Sequence, residues 1–247
     1  MHYLIKDSEF ETIFEILRKV KRIHSKCKAK MRNFIEAICY VCRSGCQWRL
    51  LPKEYGCWRS IHKRFKSWSD RKIWEKIFIS SQNSPDVEWI MIDSTIVRSH
   101  ACSAGLLQER EALGRSKGGF STKIHALSDA LGNPLKFALT AGQQSDISQA
   151  NKLIEGFFDT ICLADKGYIS QKFFNELEKR NCSSVIPSRR NAINPREYDK
   201  VLYRERNAIE CFFGKIKHFR RIFSRFDKIA QSYLSFLHFA GMLIWIR

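Results

Sequence analysis

Four polar side chains recur at helical spacing in the segment YRERNAIECFFGKIK, near the end of the chain. Arg206, Glu210 and Lys217 follow Tyr203 at offsets of 3, 7 and 14 residues. At about 100° per helical residue, these offsets predict one helix face that presents all four side chains within roughly 60°. A carboxylate framed by cations suits a metal ion beside a phosphate backbone. An ordinary surface helix with ion pairs between residues four apart would show the same pattern.

The apolar residues of the same segment predict a buried face on the opposite side of the helix. They recur at helical spacing and are Ile209, Phe212, Ile216 and Phe219. We therefore expect the helix to pack through this face and to leave Glu210 accessible to a ligand.

Two aspartates follow short apolar runs elsewhere in the chain. Asp93 follows residues 87–92, and Asp165 follows residues 160–164. Both runs have the length of a strand, so we expect each strand to end at its aspartate. Ligands bind at the carboxyl ends of strands in α/β sheets, where such a carboxylate would face a crevice. Asp also commonly begins turns, so either residue alone is a weak indication of a site.

Together, Asp93, Asp165 and Glu210 resemble the DDE triad of transposases with a ribonuclease-H-like catalytic domain, in particular those of the insertion-sequence-five family. The resemblance extends from about residue 30 to the C-terminus. Its further motifs are RSGCQWR (43–49), IDSTIVRSH (92–100), KGGFSTKIH (117–125), GQQSD (142–146), ADKGY (164–168) and HFRRI (218–222). No single motif is decisive, but the combination is specific.

The resemblance implies an enzyme that cuts and rejoins DNA with two Mg²⁺ ions, for which Mn²⁺ can substitute. Asp93 would bridge both ions, and Asp165 and Glu210 would each hold one. Water attack would free a 3′-OH at the transposon end, and this 3′-OH would then attack target DNA. Tyr203, Arg206 and Lys217 would bind phosphates or displaced nucleotides beside the cut. We expect no organic cofactor.

The first 80 residues predict a small, basic, all-helical domain. One helix stops near Gly45, and after a turn rich in Gly and Pro another runs from about Trp58 to Trp68. The basic residues that we expect to contact DNA from this helix are Arg59, Lys63 and Arg64. The pattern is typical of a helix-turn-helix-like DNA-binding domain. A helical bundle whose lysines only keep it in solution is the alternative.

Residues 81–88 are polar and rich in turn residues, which predicts a linker. From residue 89 to residue 247 the order is strand, hairpin, helix, strand, helix, with a Gly-Asn-Pro turn at residues 132–134. This order predicts an α/β fold with a ribonuclease-H-like mixed sheet flanked by helices. We expect that region to be the catalytic domain.

The charge of the chain favours a polyanionic partner. It has 43 Lys and Arg against 25 Asp and Glu, and the first 80 residues hold 19 of the basic and 8 of the acidic side chains. Such an excess fits either nucleic acid or an anionic membrane. The family resemblance implies double-stranded DNA, namely transposon ends and target. The longest apolar stretch, residues 233–246, contains Ser235 and His238 and predicts a buried helix rather than a membrane span. We expect a cytoplasmic, nucleoid-associated bacterial protein that does not bind membranes and acts on DNA as a homodimer or larger oligomer.

Three functions fit the sequence. The first is an active transposase, and the second is a structure-specific nuclease or resolvase of the same fold. The third is a sequence-specific DNA-binding protein whose catalytic domain is inactive. The basic N-terminal region and the Tyr-Arg-Glu-Lys pattern favour the first, and the presence of all three acids gives no indication of inactivation.

Overall fold

The structure is a computed structural model that describes residues 5–21, 23, 27–103, 111–116 and 118–247. The chain forms two compact units. The first unit comprises Met1–Asn83, Arg98–Glu111 and Ile216–Arg247, and the second comprises Ser84–Val97 and Ala112–Lys215. The C-terminal residues therefore join the N-terminal helices, although they are distant in sequence. The division into a DNA-binding domain (1–80), a linker (81–88) and a catalytic domain (89–247) concerns function and stays a prediction.

The first unit is mainly helical. Its elements are α1 (Asp7–Lys19), α2 (Lys28–Ser44), α3 (Trp58–Asp70), α4 (Ile73–Ser81), α9 (Arg220–Phe223), the two-residue strand β7 (Ser224–Arg225) and α10 (Ala230–Trp245). Helix α2 ends where the sequence predicts, because Gly45 adopts a left-handed conformation with φ of 68° that caps it. Helix α3 runs two residues beyond the predicted end, and α4 is a separate helix that the sequence reading did not distinguish.

Aromatic side chains form the core of the first unit around α10. The rings of Phe65 and Phe236 stack with centroids 4.5 Å apart, and Trp74 meets Phe239 edge-on at 5.6 Å. Most of α10 is buried, His238 included, which confirms the prediction of a buried C-terminal helix. Among the described residues, no helix is both long enough and apolar enough to span a membrane.

The second unit holds most of the β-structure. Its elements are β1 (Trp89–Ser99, whose last two residues belong to the first unit), β2 (Gly114–Ser116), β3 (Gly119–Ser128), β4 (Pro134–Ala141), α5 (Ala150–Leu153), β5 (Ile161–Leu163), α6 (Gln171–Lys179), β6 (Ser183–Val185), α7 (Lys200–Arg204) and α8 (Asn207–Lys217, whose last two residues belong to the first unit). The strand order is β2-β3-β1-β5-β6, with β4 beside β3. Strands β1, β5 and β6 run parallel, whereas β3 and β4 form an antiparallel hairpin. This confirms the predicted mixed sheet of the ribonuclease-H-like class, flanked by helices.

The β3–β4 hairpin turn supports the start of α8. Gly132 has φ of 81°, and a Cβ atom there would lie 2.9 Å from the carbonyl oxygen of Ala208. Only glycine fits both the left-handed conformation and this close approach. The turn predicted from Gly-Asn-Pro is therefore present and also fixes the helix that carries Glu210.

The prediction that the first strand ends at Asp93 is wrong. Strand β1 continues to Ser99, so Asp93 lies in its middle. The residues after Asp93 include Thr95, Ile96 and Val97, whose branched side chains favour extended structure. At its end, Arg98 and Ser99 pair with β7. A longer strand thus had partners along its length that the sequence alone does not reveal.

Candidate active site

Parallel pairing of β1 and β5 brings the first two acids level. The register pairs Trp89 with Ile161 and Met91 with Leu163, so its continuation places Asp165 opposite Asp93. Neighbouring strands lie about 4.8 Å apart. Asp165 follows the strand as predicted and begins a short 3₁₀ turn, where its carboxylate accepts a hydrogen bond from the Gly167 N–H at 2.8 Å.

The environment of Asp93 is partly desolvated. Its side chain is 19% exposed and accepts hydrogen bonds from the Ser94 N–H at 2.8 Å and from Arg206 at 3.0 Å. Burial raises the pKa of Asp93 and the neighbouring charge of Asp165 raises it further, whereas the contacts with Ser94 and Arg206 lower it. The pKa of Asp93 remains above its ordinary value. The hydrogen bonds from Ser94 and Arg206 therefore do not fully offset the cost of burying the negative charge. A further cation would relieve that.

The segment that holds the third acid forms two helices, and Glu210 lies on the second. The prediction of a continuous helix from Tyr203 to Lys217 is wrong, because α7 ends at Arg204 and α8 begins at Asn207. The N–H groups of Arg206 and Ile209 bond to the carbonyls three residues back, the tighter 3₁₀ pattern. Residues three apart are nearly eclipsed in such a turn, which places the Tyr203 ring 5.7 Å from the Arg206 guanidinium.

Arg206 links the first and third acids. One guanidinium nitrogen donates to Asp93 Oδ2 at 3.0 Å, and another pairs with Glu210 Oε1 one turn further along α8. The Arg206 side chain is only 15% exposed, whereas Glu210 is 51% exposed. Asp93, Asp165 and Glu210 therefore lie at one place. Helical spacing predicts Arg206 beside Glu210, but it does not predict the contact of Arg206 with Asp93.

The apolar stripe of the segment behaves as predicted. Ile209, Phe212, Ile216 and Phe219 are all buried. Phe212 stacks on Phe137 of β4, with ring centroids 6.0 Å apart. Packing through this stripe turns the other face of α8, with Glu210, outward. Lys217 is the last residue of α8 and is half-buried.

The donor chemistry of the site fits a hard divalent cation. The candidate ligands are carboxylates only, and Mg²⁺ prefers oxygen ligands. Within the part of the chain that the structure describes, no group of three or more His, Cys, Asp or Glu side chains is arranged to hold a metal ion. The side chains of Asp93 and Glu210 are instead directed to Arg206 and that of Asp165 to Gly167. Metal ligation by the three acids stays a prediction.

Two models of known protein families match this chain. A family model described as "Putative transposase of IS4/5 family" matches residues 5–78, and one described as "Transposase DDE domain" matches residues 90–227. The chain belongs to the DDE transposases. The second match contains all three acids, and the first contains Arg59, Lys63 and Arg64.

Two individual relatives and one solved structure are similar to this chain. The chain is 35% identical over 133 residues to a protein of Brucella ovis named "Putative transposase for insertion sequence element IS6501", covering 51% of this chain and 99% of that one. It is 29% identical over 135 residues to "Putative transposase for insertion sequence element IS402" of Burkholderia cepacia, covering 50% and 62%. Among solved structures, a piggyBac transposase synaptic complex with hairpin DNA matches with a TM-score of 0.40 and 14% identity, over 78% of this chain and 50% of that one.

A fourth carboxylate of this transposase was missed as a site residue. Asp146 Oδ1 accepts hydrogen bonds from Ser94 Oγ and from the Lys123 ammonium, each at 2.6 Å. Burial opposes ionisation of Asp146, but these two donors lower its pKa below the ordinary value. Because Ser94 directly follows Asp93, this network supports β1 beside the first acid. The signal in the sequence was the GQQSD motif, whose aspartate had no assigned role.

The basic residues of α3 have different surroundings in the transposase's first unit. Arg59 and Lys63 are exposed. Arg64 is half-buried, and its guanidinium lies 4.5 Å from the Phe34 ring centroid and 5.2 Å from that of Trp68. Arg64 therefore has a packing role in this unit, and DNA contact by all three residues stays a prediction. Lys117 of the KGG motif lies outside the described residues.

Proposed function

We propose that this DDE transposase binds the terminal inverted repeats of its own insertion sequence and catalyses metal-dependent cleavage and strand transfer. The observation that carries the proposal is that Arg206 pairs with both Asp93 and Glu210, while the register of β1 and β5 sets Asp165 opposite Asp93 on a ribonuclease-H-like sheet. These acids come from two neighbouring strands and a separate helix. A purely structural ion pair would need Arg206 and one carboxylate only.

Asp93, Asp165 and Glu210 are the residues that would hold divalent ions, with Asp93 shared between two. Two bound Mg²⁺ ions, or Mn²⁺ in their place, would activate the attacking oxygen and stabilise the leaving 3′ oxygen. The chain's own contribution is to hold one carboxylate in the middle of β1, one just after β5 and one on the outward face of α8. The partial burial of Asp93 and Arg206 strengthens the electrostatic contact between them.

The reaction has two balanced steps. In the first, the oxygen of water bonds to the scissile phosphorus, the bond to the 3′ oxygen breaks, and the 3′ oxygen takes up a proton. In the second, the freed 3′-OH bonds to a phosphorus of target DNA, and the target's own 3′ oxygen leaves with a proton. Neither step needs a covalent bond between protein and DNA.

Tyr203, Arg206 and Lys217 would bind phosphates beside the scissile bond. Arg206 can form two parallel hydrogen bonds to a phosphate, and Lys217 acts as a point charge. In the structure, Arg206 forms ion pairs with Asp93 and Glu210. Cations on the carboxylates would release its guanidinium for the DNA backbone.

The first unit would recognise the transposon ends. Arg59 and Lys63 are exposed on α3 and would contact phosphates of double-stranded DNA. A second copy of the chain on the other end of the element would make the active assembly a homodimer or a larger oligomer.

The test is an incubation of the full chain with Mg²⁺ and DNA that carries its own element's terminal repeats. Joining of a repeat end to a second DNA supports the proposal. Nicking of branched DNA of any sequence would indicate a nuclease or resolvase, and binding of the repeats without cleavage would indicate an inactive DNA-binding protein. DNA with scrambled repeats is the matched control.

A further inference from the structure

A basic cleft lies beside Asp165, the second acid. Its volume is about 830 Å³, within the roughly 300–1,000 Å³ typical of ligand pockets. Among the described residues, four cationic side chains line the cleft and no acidic one does. The four are Lys166, Arg189, Arg190 and Arg196. A concave surface with one sign of charge concentrates an anionic ligand.

The topology of the sheet places this cleft on the edge that carries the acids. Strands β1, β5 and β6 are parallel, and the register sets the carboxyl ends of β5 and β6 level with Met91, two residues before Asp93. Lys166 and Gly167 directly follow Asp165, and the loop of residues 186–199 leaves the carboxyl end of β6. This loop has fourteen residues without helix or strand, a length that usually marks a functional segment. The cleft therefore begins where the candidate active site ends.

The interior of the cleft offers a flat stacking surface. The Arg196 guanidinium lies 3.7 Å from the Phe174 ring centroid, and Arg196 is exposed. The Arg196 N–H also donates to Ser188 Oγ at 2.7 Å, which closes the loop on itself and fixes this stack. Nucleobases stack on aromatic rings and on guanidinium planes, and each stack contributes affinity.

We propose that this cleft binds a short unpaired stretch of the DNA strand next to the scissile phosphate. A base would stack on Arg196 over Phe174, and Lys166, Arg189 and Arg190 would contact the phosphates on either side. Duplex DNA presents base edges in its grooves and keeps the faces of its bases stacked, so it cannot use this surface. The inference rests on the proposed function, because it places the strand beside Asp165.

The experiment uses the full chain without metal and a terminal-repeat duplex with a short single-stranded overhang at the cleavage position. The fluorescent base 2-aminopurine in the overhang reports stacking. In Arg189→Gln/Arg190→Gln, we expect roughly tenfold weaker overhang binding. The slope of the logarithm of the binding constant against the logarithm of the salt concentration should become shallower by about 1.4, or about 0.7 for each lost phosphate contact. In Phe174→Leu and in Arg196→Gln, binding should no longer cause the change in 2-aminopurine fluorescence that reports stacking.

A matched control removes the same charge outside the cleft. Lys172→Gln/Lys179→Gln changes two exposed lysines on α6, the helix that carries Phe174. We expect this control to bind the overhang like the wild type. A melting curve of Phe174→Leu shows whether its fold is intact, and the loop variants remain informative if it is not.

Two results would overturn the assignment of the cleft. In one, the Arg189→Gln/Arg190→Gln variant behaves like the lysine control. In the other, it loses as much affinity for the fully paired duplex or for heparin as for the overhang. Cleavage of the repeats by the wild type, scored in the same series, separates the two proposals. A wild type that cleaves beside unaffected cleft variants refutes the cleft alone, whereas a wild type that neither binds nor cleaves the repeats refutes the proposed function.

Discussion

The guanidinium of Arg206 donates a hydrogen bond to Asp93 Oδ2 at 3.0 Å, across 113 residues of sequence. The same guanidinium pairs with Glu210. Arg206 therefore stands between two carboxylates that we propose as metal ligands. Removal of Arg206 should therefore destabilise the protein more in the absence of metal ions than in their presence.

For Arg206→Ala, we expect the metal-free protein to lose about 1–3 kcal/mol of unfolding free energy, because a half-buried carboxylate loses its partner. Mg²⁺ should restore much of that loss by taking over the carboxylates. The measurement is the Mg²⁺-dependent shift of the melting temperature, which should be larger in the variant than in the wild type. Arg206→Lys keeps the charge and serves as control. An equal Mg²⁺ shift in all three proteins would contradict this role.

Lys217→Ala should slow single-turnover cleavage at saturating DNA and leave metal binding unchanged. A phosphate contact made in the transition state contributes ~3 kcal/mol, or about a hundredfold in rate. The carboxylates of Asp93 and Glu210 pair with Arg206 rather than with Lys217, so removal of Lys217 should not change the Mg²⁺ response. A wild-type rate together with a lowered melting temperature would favour a plain helix-supporting role.

Arg59 and Arg64 should differ although both lie on α3. Arg59→Gln together with Lys63→Gln should weaken binding to the terminal repeats. The slope of the logarithm of the binding constant against the logarithm of the salt concentration should become shallower by about 2, since each phosphate contact contributes about 0.9. Arg64→Gln should mainly lower the melting temperature, because Arg64 packs on Phe34 and Trp68. Binding isotherms over a salt series and melting curves separate the effects. Equal loss of DNA affinity in Arg64→Gln without loss of stability would contradict the packing role.

His125 should make the protein acid-sensitive. It is fully buried on β3 and hydrogen-bonds to Thr140 Oγ1 at 2.8 Å. Burial, together with the charge of Lys123, lowers the pKa of His125 from 6.5 to about 4. Below pH 6.5, His125 takes up a proton in the unfolded chain but not in the folded chain. The free energy of unfolding is therefore at its full value above pH 6.5 and falls as the pH drops toward 4. By pH 5 the loss should be about 2 kcal/mol.

Urea unfolding at pH 7.5 and pH 5 measures this loss. His125→Gln can keep the bond to Thr140 and cannot titrate, so its stability should fall less between the two pH values. Buried His238, with a pKa lowered to about 3, adds a decrease of the same sign that both proteins share. Identical pH dependence in both would show that His125 contributes none of the acid sensitivity.

Local periodicity predicted some elements, and long-range pairing decided the others. The buried stripe of α8 follows from helical spacing, and Asp165 follows from a short apolar run before a turn. The extension of β1 beyond Asp93 depends on β7, a two-residue strand more than a hundred residues away. Nothing between Tyr203 and Ile209 breaks a helix by composition, so the tight turn at Arg206 was not foreseeable. The contacts of Asp146 with Ser94 and Lys123 likewise arise only in the folded chain.

Substitution of Asp93 by cysteine tests most directly whether this carboxylate holds the metal ion that cleaves DNA. A thiolate binds Mg²⁺ poorly and softer ions better. We therefore predict that Asp93→Cys cleaves terminal-repeat DNA in Mn²⁺ but not in Mg²⁺, that the wild type cleaves in both, and that Asp93→Ala cleaves in neither. Cleavage by Asp93→Ala in Mg²⁺ at the wild-type rate would contradict the account.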